Sequence, residues 1–513
     1  MSLYNSYSMS VPDTPLEDIE KIHATVVSTF KSRKTIPISY RLDQLRNLYF
    51  AIKENEQGIV AALYQDLHRP ENETVVCEVL TTLHDLVLTM EHLPKWGKDV
   101  SPSTDTLFGP MSPVIRSQPL GTVLIVAPWN YPVFLSLPPL IGAIAAGDTA
   151  LVKMSESAPA SAAIVSHIVH SALDSSAYRV ITGALPQATA LTSLKYDLIF
   201  FTGNGRIGKQ IALAAAQTLT PTVLELGGKS PAIICPSADF KAAANRIVYG
   251  KYINAGQTCV APDYVLLPRA IAEQFMSALK KEVSPHYTSI DKDSTEYSHI
   301  ITDAAYSRVV KMIEKTEGEI IIGGTSTADS ASKFIPPTIV YDVLHDDATM
   351  EDEIFGPILP IVLVDSVEDA ISNINDNHDT PLALYLFSND KAEQKHILDN
   401  TRSGGAMING AVIHVGCPYV PFGGVGQSGY GVYHGKFSFD TFSHQRAILT
   451  QPKWTDLVTK MIQPPYSNVS VNRYKLLASP MIWFARSGPI PTSVLGKAIG
   501  RIMALLRFFS GRT

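Results

Sequence analysis

Cysteine is scarce in this 513-residue chain: only Cys77, Cys235, Cys259 and Cys417 occur, too few and too scattered for a disulfide framework. A reducing, intracellular compartment follows. No two of them have metal-ligand spacing and none of the 14 histidines clusters beside them, so no metal site is expected. Charge of one sign is not in excess either: 42 Lys and Arg stand against 48 Asp and Glu, a net charge of -6 that gives no ground for a nucleic-acid partner. Long apolar runs are also missing. The most apolar stretch, residues 123–152, is broken by Pro128, Asn130, Pro132, Pro138, Pro139 and Asp148. A membrane span is not interrupted in this way, so a buried strand, a turn and a buried helix are expected. The polar first 13 residues lack the basic-then-apolar order of a signal peptide and the arginines of a transit peptide.

The length suggests two to four domains. Residues 16–96 read as helices, with apolar residues at helical spacing through Ile19, Ile22, Val26, Val27 and Phe30, then Leu45, Leu48, Ile52, Ile59 and Leu63. Residues 101–119, rich in Pro, Ser and Gly, read as a linker or an arm. From Gly121 short β-rich runs (122–127, 150–153, 179–182, 198–201, 222–226) alternate with helical ones, which implies a doubly wound parallel sheet. Ligands of such sheets sit at the carboxyl ends of the strands. A second alternating region runs from Ser230 to about Pro421, with strands expected at 264–267, 320–322, 339–343, 359–364, 383–387 and 406–408. The dense glycines of 423–435 mark a loop whose backbone passes close to something.

Two stretches carry chemistry. Asn254-Ala255-Gly256-Gln257-Thr258-Cys259-Val260 sits between a helical run, 240–252, and a strand at 264. A cysteine at such a junction, beside a glycine, is a place for a reactive thiol whose thiolate local N–H groups stabilise. A small buried hydrophobe is the plainer alternative. Gly203-Asn204-Gly205-Arg206-Ile207-Gly208 fits G-x-G-x-x-G between a strand and a helix, the context of a dinucleotide fingerprint. It follows the fourth strand rather than the first, so a tight turn is the alternative reading. Glu225 lies near the distance of a ribose-binding acid.

Glu225-Leu226-Gly227-Gly228-Lys229-Ser230-Pro231 followed by Gly256-Gln257-Thr258-Cys259 closely resembles the paired signatures of the aldehyde dehydrogenase superfamily. Pro128-Trp129-Asn130-Tyr131-Pro132, Lys153-Met154-Ser155-Glu156, Phe201-Thr202-Gly203 to Gly208, and Glu353-Ile354-Phe355-Gly356-Pro357 resemble its oxyanion, adenosine-ribose, pyrophosphate and nicotinamide-ribose segments, in the right order. The wording around Cys259 and from 421 to 446 is similar to the class 3 branch, which includes fatty aldehyde dehydrogenases. The resemblance implies an α/β fold, aldehyde dehydrogenase-like: N-terminal helices of the cofactor domain (1–100), an oligomerisation arm (101–119), a Rossmann-type NAD-binding domain (120–228), an α/β catalytic domain (229–421), a return segment with an arm strand (422–452) and a tail (453–513). A homodimer is implied.

The resemblance also assigns roles. Cys259 attacks the aldehyde carbon, and the Asn130 side chain with the Cys259 N–H holds the oxyanion. Glu225 activates water to hydrolyse the thioester; an apolar setting raises its pKa towards the working pH. An N-cap role for Asn130 and a surface ion pair of Glu225 with Lys229 are the alternatives. Cofactor contacts fall to Pro128, Trp129, Lys153, Glu156, Thr202, Gly203, Asn204, Gly208, Glu353 and Phe355. The Glu156 carboxylate repels a 2′-phosphate, so NAD is expected over NADP, although this branch is permissive. Asn204, where the family has Ser, also hydrogen-bonds a phosphate; ordinary core is the alternative for Phe355.

From Val471 onward no acidic residue occurs, and Leu495, Ala498, Ile499, Ile502, Leu505, Leu506 and Phe509 follow helical spacing opposite Lys497 and Arg501. Such a basic amphipathic helix reads as a membrane-surface segment; docking on the protein itself is the alternative. The cytosolic face of a membrane (endoplasmic reticulum, mitochondrial outer membrane or lipid droplet) is then expected, with the cytoplasm as alternative. The substrate would be a lipophilic aldehyde, long-chain fatty or apocarotenoid. Other readings are a broad-specificity or aromatic aldehyde dehydrogenase, a cofactor-independent thiol hydrolase using His414 or His434, a scaffold on a retired enzyme fold, and a reductive acyl-releasing enzyme.

Overall fold

The computed structural model describes residues 11–105, 107–283, 287–377, 380–471, 474, 482–484 and 488–509. It divides into two compact units, residues 1–98 with 117–444, and residues 99–116 with 445–513.

The first unit is built on two sheets. Strands β2 (Thr122–Val126), β3 (Thr149–Lys153), β4 (Tyr178–Ile181), β5 (Leu198–Thr202), β6 (Thr222–Glu225) and the short β14 (Gly429–Tyr430) form a sheet of order β14-β6-β5-β2-β3-β4. All its pairs are parallel except β14 on β6. The expected strands are therefore all present, close to their expected bounds. Leu124, Ile125, Leu151, Val152, Ile199 and Phe200 are buried, which is why these runs are apolar throughout rather than alternating. Crossover helices Leu137–Ala146, Pro159–Ala172, Leu185–Thr192 and Gly205–Ala216 link them. After β4 the chain crosses back to the other side of β2, so the order reverses between β2 and β5. That switch point opens a crevice at the carboxyl ends of the two strands, where Pro128–Asn130 and Thr202–Gly203 begin.

The second sheet has order β13-β12-β7-β8-β11-β10-β9, from β7 (Pro231–Ile234), β8 (Tyr264–Pro268), β9 (Glu319–Ile322), β10 (Thr338–Tyr341), β11 (Ile358–Val364), β12 (Ala383–Phe387) and β13 (Gly405–Ile408). Only β9 runs antiparallel. β7 was not expected: it is a short buried run that starts at a proline. The helix Phe240–Tyr252, capped by the Asp239 side chain on the Ala242 N–H, crosses from β7 to β8 and delivers the Cys259 loop. The N-terminal helices Leu16–Lys31, Ile38–Glu54, Glu56–Leu67 and Thr81–Trp96 form as expected, with a π-helical turn at Val75–Leu80.

In the other unit, Val100 bridges Ile115, Arg116 pairs with Asp99 at 2.7 Å, and Thr450 N–H donates to the Met111 carbonyl. β1 (Val114–Pro119) pairs with β15 (Ser443–Ile448), the strand anticipated near His444. The tail helix is Val494–Phe509; Lys497 and Arg501 lie over the Trp483 ring at 5.7 and 5.5 Å. Val494, Leu495, Ile499 and Ile502 are exposed. No helix among the described residues is long and apolar enough to cross a membrane.

Candidate active site

Cys259 follows a backbone bend that its sequence dictates. Asn254, Ala255 and Gly256 all take left-handed conformations, with φ of 52°, 50° and 74°. A Cβ on Gly256 would stand 2.2 Å from the Gly356 carbonyl oxygen, so only glycine fits there. The bend is held by side chains. Gln257 Nε2 donates to the carbonyls of Asn254 (3.1 Å) and His299 (3.0 Å), and its Oε1 accepts from the Ile301 N–H. Asn254 Nδ2 donates to the carbonyls of Asn130 (3.0 Å) and Gln257 (3.1 Å). Thr258 Oγ1 meets the Tyr131 hydroxyl at 2.8 Å.

Asn130 reaches the same loop from the end of β2. It is buried and its Nδ2 donates to the Gln257 carbonyl at 3.1 Å. It is no N-cap: the helix it precedes starts at Leu137, after Ser136. One amide N–H of Asn130 remains for another acceptor beside the loop that carries Cys259.

Glu225 ends β6 directly opposite Thr202 of β5 and Gly429 of β14. It is buried, and neither carboxylate oxygen has a protein partner. Burial pushes its pKa well above the ordinary carboxylate value, the direction anticipated for a base in an apolar setting. The surface ion pair with Lys229 does not form. Lys229 is buried elsewhere, with Nζ 2.6 Å from Asp263 Oδ2 and 2.8 Å from the Thr349 carbonyl. The late glycine loop passes where expected: a Cβ on Gly429 would meet the Leu224 carbonyl oxygen at 1.8 Å.

Cys259 is half-buried, and the N–H groups of Cys259 and Val260 face its sulfur. They do not win. Burial first, then the nearby Glu353 and Glu225 carboxylates, push the thiol up to about 12. The local N–H groups do favour the thiolate, as expected, but burial outweighs them. His414 and His434 do not replace the missing base. Burial lowers them to about 4 and about 3, and neither bonds to Cys259. Instead His434 stacks on Tyr433 and Phe134, with ring centroids 4.1 and 5.5 Å away.

The residues assigned to the cofactor fit a dinucleotide. The glycine turn follows β5 and opens the helix Gly205–Ala216; a Cβ on Gly203 would meet the Phe201 ring at 2.6 Å, one on Gly208 would meet Leu226 at 2.7 Å, and the space around Gly205 is open. The buried Thr202 Oγ1 lacks a protein partner. Asn204 Oδ1 caps the helix by accepting the Ile207 N–H at 2.9 Å, which leaves its Nδ2 as the donor for a phosphate. At the end of β3, Lys153 Nζ donates to the Met154 carbonyl at 2.6 Å and lies 3.6 Å from Glu156, whose carboxylate is exposed. Glu353 folds onto Gly227, where a Cβ would stand 2.0 Å from its Oε2; burial, with Asp263 next, raises it to about 8. Phe355 is not ordinary core: it is half-buried, has φ of 46° and meets Trp129 edge-on at 5.4 Å. Positive φ in a non-glycine residue is strain of the kind stored at functional sites.

Sequence reasoning missed the support beneath these groups. Arg69 is fully buried; its NH1 lies 2.5 Å from Glu78 Oε1, its Nε donates to Asn254 Oδ1 at 3.3 Å and its NH2 donates to the Asn130 carbonyl. Glu78 Oε2 accepts the N–H groups of Val133 and Phe134 at 2.8 Å. Asp263 accepts from Lys229, Lys251 and the Ile354 N–H, which fixes the segment bearing Glu353 and Phe355. The π-helical turn around Glu78 was the available signal in structure, but it leaves no trace in the spacing of residues.

A doubly wound parallel sheet with a glycine turn at its switch point, joined through Asn130 to the loop that carries Cys259, is the architecture of an NAD(P)-dependent oxidoreductase. The chain belongs to the aldehyde dehydrogenase family, whose model matches residues 4–448. It is 40% identical over 437 residues to the 4,4'-diaponeurosporen-aldehyde dehydrogenase of Staphylococcus aureus, covering 85% of this chain and 94% of that one. It is also 40% identical over 454 residues to the beta-apo-4'-carotenal oxygenase of Neurospora crassa, covering 88% and 85%. Among solved structures it resembles the substrate-bound state of the Staphylococcus aureus AldH, with a TM-score of 0.82, 38% identity and coverage of 85% and 94%. The chain is an NAD(P)-dependent aldehyde dehydrogenase.

Proposed function

We propose that the enzyme oxidises a lipophilic aldehyde, long-chain fatty or apocarotenoid, to its carboxylic acid by way of a thiohemiacetal and a thioester on Cys259. The Cys259 sulfur adds to the carbonyl carbon while its proton passes to the Glu225 carboxylate, which releases it to solvent before the second step. The Asn130 amide N–H and the Cys259 N–H stabilise the oxyanion that forms. The bound nicotinamide supplies the hydride acceptor. Glu225 then takes a proton from the water that hydrolyses the thioester, and the acid departs. Glu353 and Phe355 would hold the nicotinamide end, Thr202, Gly203, Asn204 and Gly208 the pyrophosphate, and Lys153 and Glu156 the adenosine ribose, with Pro128 and Trp129 lining the crevice. The exposed Glu156 carboxylate favours NAD over NADP.

The observation that carries this reading is Glu225: a buried carboxyl with both oxygens free, at the end of a cofactor-sheet strand and near enough to Cys259 for its charge to act on the thiol's pKa. Two relatives named for carotenoid aldehydes support a lipophilic substrate. NADH formation with a panel of short, long-chain and polyene aldehydes tests it. The highest kcat/KM is expected for the long and polyene members; a preference for short or aromatic ones would refute the substrate class.

The domain division given above, a homodimer paired through the 101–119 arm and β15, and a membrane-surface role for the helix Val494–Phe509 belong to the same reading. Removing residues 493–513 should move the protein from the membrane to the supernatant on fractionation, and retention on the membrane would refute the role of the helix.

A further inference from the structure

We infer that Arg69 is a positioning residue for the oxyanion site. The inference rests on the reading of Asn130 as an oxyanion donor. The geometry makes Arg69 the junction between the two chain segments that must meet the same oxygen atom. Its guanidinium donates to the backbone carbonyl of Asn130 and to the side chain of Asn254, and its remaining nitrogen binds Glu78. Asn254 in turn donates to the Asn130 and Gln257 carbonyls, while its own N–H donates to Glu73 Oε2 at 3.0 Å. The guanidinium carbon also lies 4.5 Å from the centre of the Tyr131 ring, and the hydroxyl of Tyr131 meets Thr258, the residue before the nucleophile.

One planar cation thus holds the backbone of the β2 segment and the bend before Cys259 at fixed separation. The side chain is wholly buried, and its contacts use the fork of donors that only arginine offers. The oxyanion has to be met by the Asn130 amide from one segment and the Cys259 N–H from the other. Donors placed a few tenths of an ångström apart from their ideal positions forfeit much of this stabilisation, because it depends on preorganisation. Lysine at position 69 would keep the charge opposite Glu78 and Glu73 but could not bridge Asn130 and Asn254 together.

The test is a double-mutant cycle on the full-length protein, with Arg69→Lys and Asn130→Ala made singly and together. Arg69→Lys is expected to lower kcat by about tenfold or more, with KM and the Kd for NAD changed less than about twofold. In the Asn130→Ala background the same substitution should cost less than about twofold, because its effect passes through Asn130. Equal fold losses in both backgrounds would overturn the inference and leave the Asn130 reading intact. An Asn130→Ala enzyme with undiminished kcat would overturn both. If Arg69→Lys does not fold, Asn254→Asp provides the same cycle. It keeps an acceptor for Arg69 and replaces the donors to the Asn130 and Gln257 carbonyls with a carboxylate oxygen. Its loss of kcat should likewise vanish in the Asn130→Ala background, and an undiminished loss there overturns the inference.

Discussion

The resting state of Cys259 sets its response to pH. With the thiol at about 12, the thiolate makes up about one part in 100,000 at pH 7. A free cysteine at about 8.5 would hold about 3%. Alkylation by iodoacetamide needs the thiolate, so the cofactor-free enzyme should react about a thousandfold more slowly than a free thiol at neutral pH. The sign of the dependence is fixed: raising the pH removes the proton, so the rate should climb from pH 7 to 10 with no plateau, less steeply across pH 8 where Glu353 becomes charged. The cause can be separated as well. Glu353, at about 8, is charged above that pH and then opposes the thiolate, so Glu353→Gln should speed alkylation at pH 9 and have little effect at pH 7. The assay is the rate of activity loss, with mass spectrometry locating the label on Cys259. A plateau below pH 8 would show a preformed thiolate and refute the reasoning.

Three further outcomes follow from the site. Cys259→Ala should abolish aldehyde oxidation while leaving NAD binding by calorimetry unchanged, whereas Glu225→Gln should give one rapid turnover of NADH and then stall with an acyl group on Cys259 detectable by mass. Gly256→Ala should lower stability by about 2–4 kcal/mol in denaturant unfolding, since its Cβ would meet the Gly356 carbonyl oxygen at 2.2 Å at a φ of 74°. Glu156→Gln should raise kcat/KM with NADP about tenfold relative to NAD, because the exposed carboxylate at the end of β3 no longer repels a 2′-phosphate.

Much of the fold is written locally. The apolar runs at 122–126, 149–153 and 198–202 are strands because both faces of the sheet are covered, and the helix 240–252 announces itself by spacing and by the Asp239 cap. Gly203 and Gly256 stand where a side chain has no room, so the glycine turn and the Cys259 bend could be read directly. What sequence order hides is the meeting of distant residues. β7 is four residues long and its strand character comes from lying between β12 and β8. Arg69 bonds Asn130 and Asn254 across large gaps in the chain, and no periodicity predicts such a contact. The surroundings of Cys259 were hidden for the same reason. The N–H groups beside it are local, whereas Glu225 and Glu353 arrive from β6 and from the segment before β11.

These features share one electrostatic logic. At rest the site disfavours charge on its reacting groups: burial raises both the Cys259 thiol and the Glu225 carboxyl above their ordinary values. A site that stabilised the thiolate strongly in advance would have to recover that energy on the way to the transition state. On the proposed mechanism the Asn130 amide and the Cys259 N–H serve the substrate oxygen instead, and buried ion pairs serve the frame. Arg69 with Glu78 fixes the Asn130 side of that frame, and Lys229 and Lys251 on Asp263 fix the Glu353 side. Removing one partner of such a pair leaves an uncompensated buried charge, at about 3–5 kcal/mol, so the frame resists the relaxation that would let the donors drift.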